Sequence, residues 1–209
     1  MRIVRIFALF ALALVLISLL WRWASRRRAL PCPTWLAGFL EGSGVHQLLG
    51  TQTTLDRIGL QPGLRVLEIG PGPGRLLIPA AQRVLPGGEV VGLDIQPGML
   101  ERLKTRAAQA CVSNLTAILG DATQPQFPPD SFDVIYFCTV LGEIPDRAAA
   151  LRQCYAALKP GGTLSITELF PDPHYQSRAT VKGLAETARF RLQVLHGSWY
   201  FFTANFVKV

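Results

Sequence analysis

Hydrophobic positions divide this chain into three stretches of different period. Residues 6–20 run Ile-Phe-Ala-Leu-Phe-Ala-Leu-Ala-Leu-Val-Leu-Ile-Ser-Leu-Leu without a charge. Residues 45–59 place Val45, Leu48, Leu49, Leu55 and Ile58 on one side of a helix that Gly59 would close. From Val66 onward, short apolar runs alternate with segments of helical period. Strands are predicted at 66–69, 89–94, 115–119 and 132–137, and a fifth follows the turn at 158–162. Helices are predicted at 76–84, 99–110, 147–158 and 178–187. The chain closes with two β-rich runs, 190–195 and 199–207, about a turn at His196-Gly197-Ser198, which reads as a hairpin. Alternating strands and helices predict an α/β fold on a parallel sheet.

The first strand of that sheet leads into the most informative segment, Val66-Leu67-Glu68-Ile69-Gly70-Pro71-Gly72-Pro73-Gly74-Arg75-Leu76. Glycines at alternate positions remove every Cβ from the turn and admit backbone angles closed to other residues. The helix that follows offers unpaired N–H groups to a polar or anionic ligand. The arrangement predicts a nucleotide-type cofactor site at the carboxyl edge of the sheet. The second strand ends in Asp94, where an acid can accept hydrogen bonds from both ribose hydroxyls of a nucleoside. The third ends in Gly120-Asp121-Ala122.

Four segments, "VLEIGPGPGRL", "VVGLDIQPGML", "LGDATQPQFPPDSFDVIYF" and "LKPGGTLSITE", follow one another at intervals that resemble the successive motifs of class I S-adenosylmethionine-dependent methyltransferases. The subgroup they look most like is the small-molecule one that includes the ubiquinone/menaquinone-biosynthesis enzymes. The resemblance spans roughly residues 45 to 209. It implies a Rossmann-like, seven-stranded, mostly parallel sheet with a terminal antiparallel hairpin, and S-adenosyl-L-methionine as cofactor. It also implies roles: Glu68 fixes the glycine turn near the cofactor's amino end, and backbone at Gly70, Gly72 and Gly74 lines the methionine part. Asp94 would hold the ribose, Ile95 pack on adenine, Asp121 accept from the adenine amine beside Ala122, and Cys138 and Thr139 face the sulfonium. Each has a plainer reading: a helix cap for Glu68, a solvated strand-end acid for Asp94, a turn acid for Asp121, packing for Cys138 and Thr139.

The acceptor side is less determined. After the fourth strand the run Val140-Leu141-Gly142-Glu143-Ile144-Pro145-Asp146 departs at Gly142 and Glu143 from the family's frequent histidine or asparagine pair. After the fifth come Glu168 and Asp172-Pro173-His174-Tyr175. A base beside the methyl acceptor needs a pKa near neutrality, which makes His174 the natural candidate and Glu168 the alternative. A loop residue capping the next helix is the competing reading of His174. Trp199 and Tyr200 either shape an acceptor pocket or pack their strand.

The N-terminal run is long enough to matter on its own. Counted from Ile3 to Trp23, it would reach about 30 Å as a helix at ~1.5 Å per residue. Trp21 and Trp23 suit an interface, and Arg5 can snorkel at the other end. A cleaved signal peptide is the rival reading, but Trp21-Arg22-Trp23 and Arg26-Arg27-Arg28 stand where a small-residue cleavage site would be. The expected organisation is a transmembrane anchor (1–23), a juxtamembrane linker (24–44) and a methyltransferase domain (45–209). The arginine excess after the span places that domain on the cytoplasmic side of a single-pass membrane protein, with its mouth roofed by residues 31–50.

Charge changes the picture only by its location. The net charge is +7, yet residues 1–30 hold six arginines and no acid, against fifteen basic and fourteen acidic residues in the rest. That is a juxtamembrane cluster suited to anionic headgroups and not a nucleic-acid stripe. The four cysteines show no metal-ligand spacing with the three histidines, so no metal site is expected. The expected function is methyl transfer to a small hydrophobic or amphipathic, quinone- or lipid-like acceptor at the membrane. The alternatives are an NAD-dependent oxidoreductase, for which Tyr155 and Lys159 stand one residue too far apart, and a non-catalytic cofactor-binding scaffold.

Overall fold

The computed structural model describes residues 50–170 and 172–209. The predicted anchor, the linker and the first residues of the predicted 45–59 helix lie outside this range. Among the described residues no helix is long and apolar enough to cross a membrane.

The elements follow in the order α1 (Thr51–Ile58), β1 (Arg65–Ile69), α2 (Leu77–Arg83), β2 (Glu89–Asp94), α3 (Pro97–Gln109), β3 (Leu115–Leu119), β4 (Phe132–Cys138), a 3-10 turn (Leu141–Glu143), α4 (Arg147–Ala157), β5 (Leu158–Leu169), α5 (Arg178–Thr187), β6 (Phe190–Gly197) and β7 (Phe201–Lys208). Local chemistry sets most boundaries. Gly59 closes α1 in the left-handed conformation, returning its N–H to Leu55 O. Pro97 opens α3. The Asp146 carboxylate accepts from the Ala149 N–H at the start of α4, and Ser177 accepts from the Thr180 N–H at the start of α5.

All seven strands form one sheet in the order β3-β2-β1-β4-β5-β7-β6. β1 to β5 are parallel, whereas β7 runs antiparallel between β5 and β6. This is the mostly parallel, hairpin-terminated, Rossmann-like sheet expected. An antiparallel strand at that place separates it from the all-parallel dinucleotide fold. Lys159 pairs with Asp133 (2.7 Å), and the Tyr155 hydroxyl donates to Val209 O. Both side chains are spent at the amino edge of the sheet, so neither serves a cofactor at the carboxyl edge as the oxidoreductase reading would require.

The central strands are buried on both faces, and two cores result. Leu67, Ile69, Val91, Leu93, Ile135 and Phe137 pack beneath α4 and α5. Val66, Val90, Val134 and Tyr136 pack beneath α1, α2 and α3. One prediction of a turn is modified: residues 158–162 belong to β5. The turn survives as a bulge, because the pairing jumps from Phe132↔Leu158 to Val134↔Thr163, and Gly161 takes a φ of 74° within it. Between β5 and β7 the buried polar pairs Ser165–Asn205 (2.7 Å) and Thr167–Thr203 (2.9 Å) fix the register.

The third glycine of the turn sets how closely helix and sheet pack. A Cβ on Gly74 would lie 2.4 Å from Leu103 Cδ1, and its φ is 87°. Gly74→Ala is therefore expected to cost about 1–3 kcal/mol of stability through overpacking and backbone strain. Urea denaturation of the variant against the parent protein measures it.

Candidate cofactor and acceptor site

The carboxyl ends of β1, β2, β3, β4 and β5 converge on one edge, and the chemistry-bearing residues follow them there. The glycine turn is bound at both sides. Gly70 N–H donates to Leu93 O (2.8 Å), and Arg106 reaches from α3 to Pro73 O (2.7 Å). At its centre, Gly72 N–H donates to Asp94 Oδ2 (3.1 Å), while Asp94 Oδ1 accepts from Gln96 N–H (2.9 Å). The Ile95 N–H is a third backbone donor to this carboxylate, and since a carboxylate accepts about four hydrogen bonds, Asp94 keeps some capacity for a ligand. Burial pushes the Asp94 pKa up, against the pull of those backbone donors.

Gly72 has a φ of 53°, and among the described residues a Cβ built on it would meet nothing within 4 Å. Its bare face therefore borders open space beside Asp94. Ile95, the next residue, is 59% exposed, an apolar side chain held out at a strand end. Asp121 closes a turn by accepting from both the N–H and the hydroxyl of Thr123 through Oδ1 (2.8 Å each). Ala122 is half-buried and lines a narrow cleft behind the edge with Leu93, Phe127 and Cys154.

Beneath the turn lies a buried acid. Glu68 is 3% exposed, and the Tyr136 hydroxyl donates to its Oε2 (2.8 Å). Desolvation raises its pKa to about 8, with Tyr136 and the Arg75 charge opposing. The helix-cap reading of Glu68 fails, since its bond runs across the sheet to the residue opposite it in β4. Cys138 is buried, and its sulfur accepts from Arg75 Nη2 (3.2 Å), while Arg75 Nη1 reaches Thr51 Oγ1 (3.0 Å). Thr139 takes a left-handed φ of 57°, uncommon for a β-branched residue, and its N–H donates to Thr167 O (2.9 Å).

Arg75 and Tyr136 were not among the expected site residues. A cation at the start of a helix opposes the helix dipole, which is the one sequence hint that Arg75 has a partner elsewhere. Tyr136 becomes a partner of Glu68 only through the β1–β4 register, which no local pattern encodes.

The acceptor candidates also meet. His174 is 5% exposed, and its N–H donates to Asp172 Oδ1 (2.7 Å). Its Nδ1 lies 3.9 Å from carboxylate oxygens of both Glu143 and Asp172, and its Nε2 is buried without a hydrogen bond among the described residues. Burial first, and Arg147 second, hold its pKa below the ordinary value, so the ring is neutral at pH 7. The loop-cap reading fails, because Ser177 caps α5. Glu168 is 1% exposed, with burial raising its pKa to about 8, Oε2 accepting from Gln176 N–H (3.1 Å) and Oε1 without a partner among the described residues. Gln176 joins the two candidates, since its side-chain amide donates to His174 O (2.7 Å). Gly142 has a steric cause: a Cβ there would stand 1.9 Å from His174 O. The departure from the family's pattern is what lets the two loops touch.

An α/β sheet with this strand order, a glycine turn at the end of its first strand and an acid at the end of its second is the arrangement that the resemblance to S-adenosylmethionine-dependent methyltransferases implies. Residues 66–162 match the family described as "Methyltransferase domain". Two curated relatives are a nocamycin O-methyltransferase from Saccharothrix syringae, 35% identical over 139 residues (66% of this chain, 50% of the relative), and a ubiquinone/menaquinone biosynthesis C-methyltransferase from Vibrio campbellii, 37% identical over 131 residues (62% and 50%). The chain spans about half the length of the curated relatives it matches. In fold it is similar to the crystal structure of a SAM-dependent methyltransferase from Aquifex aeolicus, with a TM-score of 0.79 at 20% identity, covering 86% of this chain and 100% of that one. It is also similar to the [4+2]-cyclase SpnF, with a TM-score of 0.64 at 21% identity, covering 73% and 59%.

S-adenosylmethionine is the cofactor of this class, and the residues present fit it. The open face at Gly72 admits a ligand against bare backbone, Asp94 retains acceptor capacity, and Ile95 presents an apolar surface beside it.

Two predictions follow from this geometry. Asp94→Asn keeps the side chain's shape but removes its charge and half its acceptor capacity. Loss of a charged hydrogen bond is worth about 1.5–3 kcal/mol, so affinity for S-adenosylhomocysteine, read by calorimetry, should fall about 10- to 100-fold. The second concerns proton linkage. Glu68 titrates near 8 in the folded chain and near 4.5 when unfolded. The folded state then holds a proton that the unfolded state has released. Its contribution is full below about pH 4.5 and is lost as pH rises through about 8. Urea midpoints measured across that window should fall less steeply for Glu68→Gln than for the parent protein.

Proposed function

We propose that this chain is a membrane-tethered methyltransferase that transfers the methyl group of S-adenosylmethionine to a small hydrophobic or amphipathic acceptor of quinone- or lipid-like character. The observation that carries the transferase reading is the open Gly72 backbone beside the Asp94 carboxylate that its own N–H engages. The acceptor class is supported by the relatives, which are named for nocamycin, aklanonic acid and ubiquinone/menaquinone. The tether rests on the apolar run from Ile3 to Trp23 and the arginines after it, which would put the domain on the cytoplasmic side. Anchoring raises the concentration of the enzyme at the surface where such an acceptor dissolves.

When bound, the cofactor supplies a methyl carbon made electrophilic by its sulfonium. The chain's task is then alignment and the handling of one proton. Asp94 would accept from the ribose hydroxyls, and Ile95 would cover one face of the adenine. Glu68 lies beneath the amino end, where an arriving cation favours its ionised form. Arg75 holds Cys138 and Thr51 in place beside it.

His174 is the better proton acceptor of the two candidates. The carboxylates of Glu143 and Asp172 flank Nδ1 and favour the tautomer with its proton there, which leaves the Nε2 lone pair free. Glu168 is protonated at neutral pH and positions the loop through Gln176.

With His174 as base, the pH–rate profile should be flat through neutrality and fall only on acidification below its lowered pKa. With Glu168 as base, activity would instead climb through about pH 8. His174→Asn is expected to lower kcat by about 10²–10⁴ while cofactor affinity holds. The acceptor is tested by supplying the full chain, in vesicles, with labelled S-adenosylmethionine and a total lipid extract. Label should enter the lipid phase, and label confined to water-soluble metabolites would overturn the acceptor class.

A further inference from the structure

The antiparallel hairpin brings a second kind of surface to the cofactor edge. Because Leu169 of β5 pairs with Phe201 of β7, the β6–β7 turn lies beside the carboxyl end of β5. There Trp199 is 61% exposed, Tyr200 52% and Phe170 43%. Scattered exposed apolar residues are ordinary, but these are contiguous. The Phe170 ring meets that of Trp199 at 5.1 Å and that of Tyr175 at 5.8 Å, and Trp199 meets Tyr200 at 5.7 Å. The cluster is held rigidly: Phe170 N–H donates to Tyr200 O (2.6 Å), the Tyr175 hydroxyl donates to Trp199 O, and Tyr175 leans on buried Phe202.

Charges of both signs border it, with Asp172 in the turn between Phe170 and Tyr175 and two arginines over the hairpin rings. The Arg57 guanidinium lies over the Phe201 ring (4.5 Å), and Arg178 lies over Phe202 (5.7 Å) and donates to Gly197 O (2.5 Å). Among the described residues neither arginine forms an ion pair with a carboxylate. The opposite edge of the sheet differs, with its charges matched in the pairs Arg65–Glu89, Lys159–Asp133 and Lys208–Asp130. Rigid, amphipathic aromatic rings flanked by unmatched arginines have the composition of a surface that sits among lipid headgroups. The chain outside the structure also enters here. Gly50, which follows the predicted anchor and linker, abuts the Phe201 ring so closely that a Cβ on it would stand 3.0 Å from that ring.

We propose that Phe170, Trp199 and Tyr200, flanked by Arg57 and Arg178, form a foot that inserts into the headgroup layer of an anionic bilayer and holds the acceptor mouth against it. The proposal rests on the membrane-tethered reading above and adds an orientation to it. Glu168 is two residues from Phe170 along the chain, which places the foot beside the acceptor edge.

The test uses the full chain reconstituted in vesicles of dibrominated phosphatidylcholine and phosphatidylglycerol, with one tryptophan at a time as reporter. Trp21→Phe, Trp23→Phe and Trp35→Phe together leave Trp199. Trp23→Phe, Trp35→Phe and Trp199→Phe together leave Trp21 to report on the anchor. The expected result is that the brominated lipid removes roughly half or more of the emission of both reporters and that iodide in the water reaches Trp199 little. Lipid quenching of Trp21 with Trp199 open to iodide overturns the foot and leaves the tether standing. If neither quencher reaches Trp199, the chain itself covers the patch, and the foot is again overturned. If lipid quenches neither reporter, tether and foot fail together.

Discussion

The hydrogen bond from Gly72 N–H to Asp94 Oδ2 joins the two strands on which the cofactor edge is built. It requires a residue at position 72 that takes a left-handed conformation and leaves its outer face bare, and an acid at the end of the adjacent strand. Parallel pairing of β1 with β2, from Arg65↔Glu89 to Ile69↔Leu93, delivers the two ends side by side. Much else at the edge depends on this closure. Gly70 is tied to Leu93, Gly120 to Asp94 and Gly72 to the carboxylate, so the turn, the acid and the third strand end hold one shape. The pocket is preorganised by backbone, which lowers the entropy cost of binding.

A second constraint is how the fold manages its buried charges. Glu68 and Glu168 are both almost wholly removed from water, and burial lifts both to about 8. Neither behaves as an ordinary carboxylate at neutral pH. Glu68 has a hydroxyl partner in Tyr136 and a cation, Arg75, acting on it, so an arriving positive charge would favour its ionised form. Glu168 keeps one oxygen without a partner among the described residues. Leaving a buried polar atom unmatched is costly, and a ligand at the carboxyl edge would relieve that cost.

The same logic separates the two ends of the sheet. At the amino edge, charges of both signs pair, as in Lys159–Asp133 and Lys208–Asp130. At the carboxyl edge, apolar side chains stand out at strand ends: Ile95 beside the cofactor cradle, Phe170 and Trp199 beside the acceptor loop. An antiparallel β7 is what adds the second group, because a parallel strand there would have carried its turn to the far edge. The place of the proposed foot is thus set by sheet topology.

The order of strands and helices was legible from period and punctuation alone, because a 3.6-residue stripe, a short apolar run and a glycine or proline break each leave a local mark. Helix α5 coincides with its predicted span, and Gly59 ends α1 as expected. The glycine turn and Asp94 were legible for the same reason, since their function depends on residues a few places apart or on the ends of successive strands. What tertiary structure alone decided are the partnerships across the sheet. Tyr136 meets Glu68 through register, Arg75 spans from the turn to α1 and β4, and His174 comes to rest against Gly142 and beside Glu143, residues separated from it by the whole of α4 and β5. Desolvation belongs to this second group as well. The sequence shows that position 174 is a histidine and position 68 a glutamate, but their proton affinities are set by burial, which exists only once distant segments have packed together.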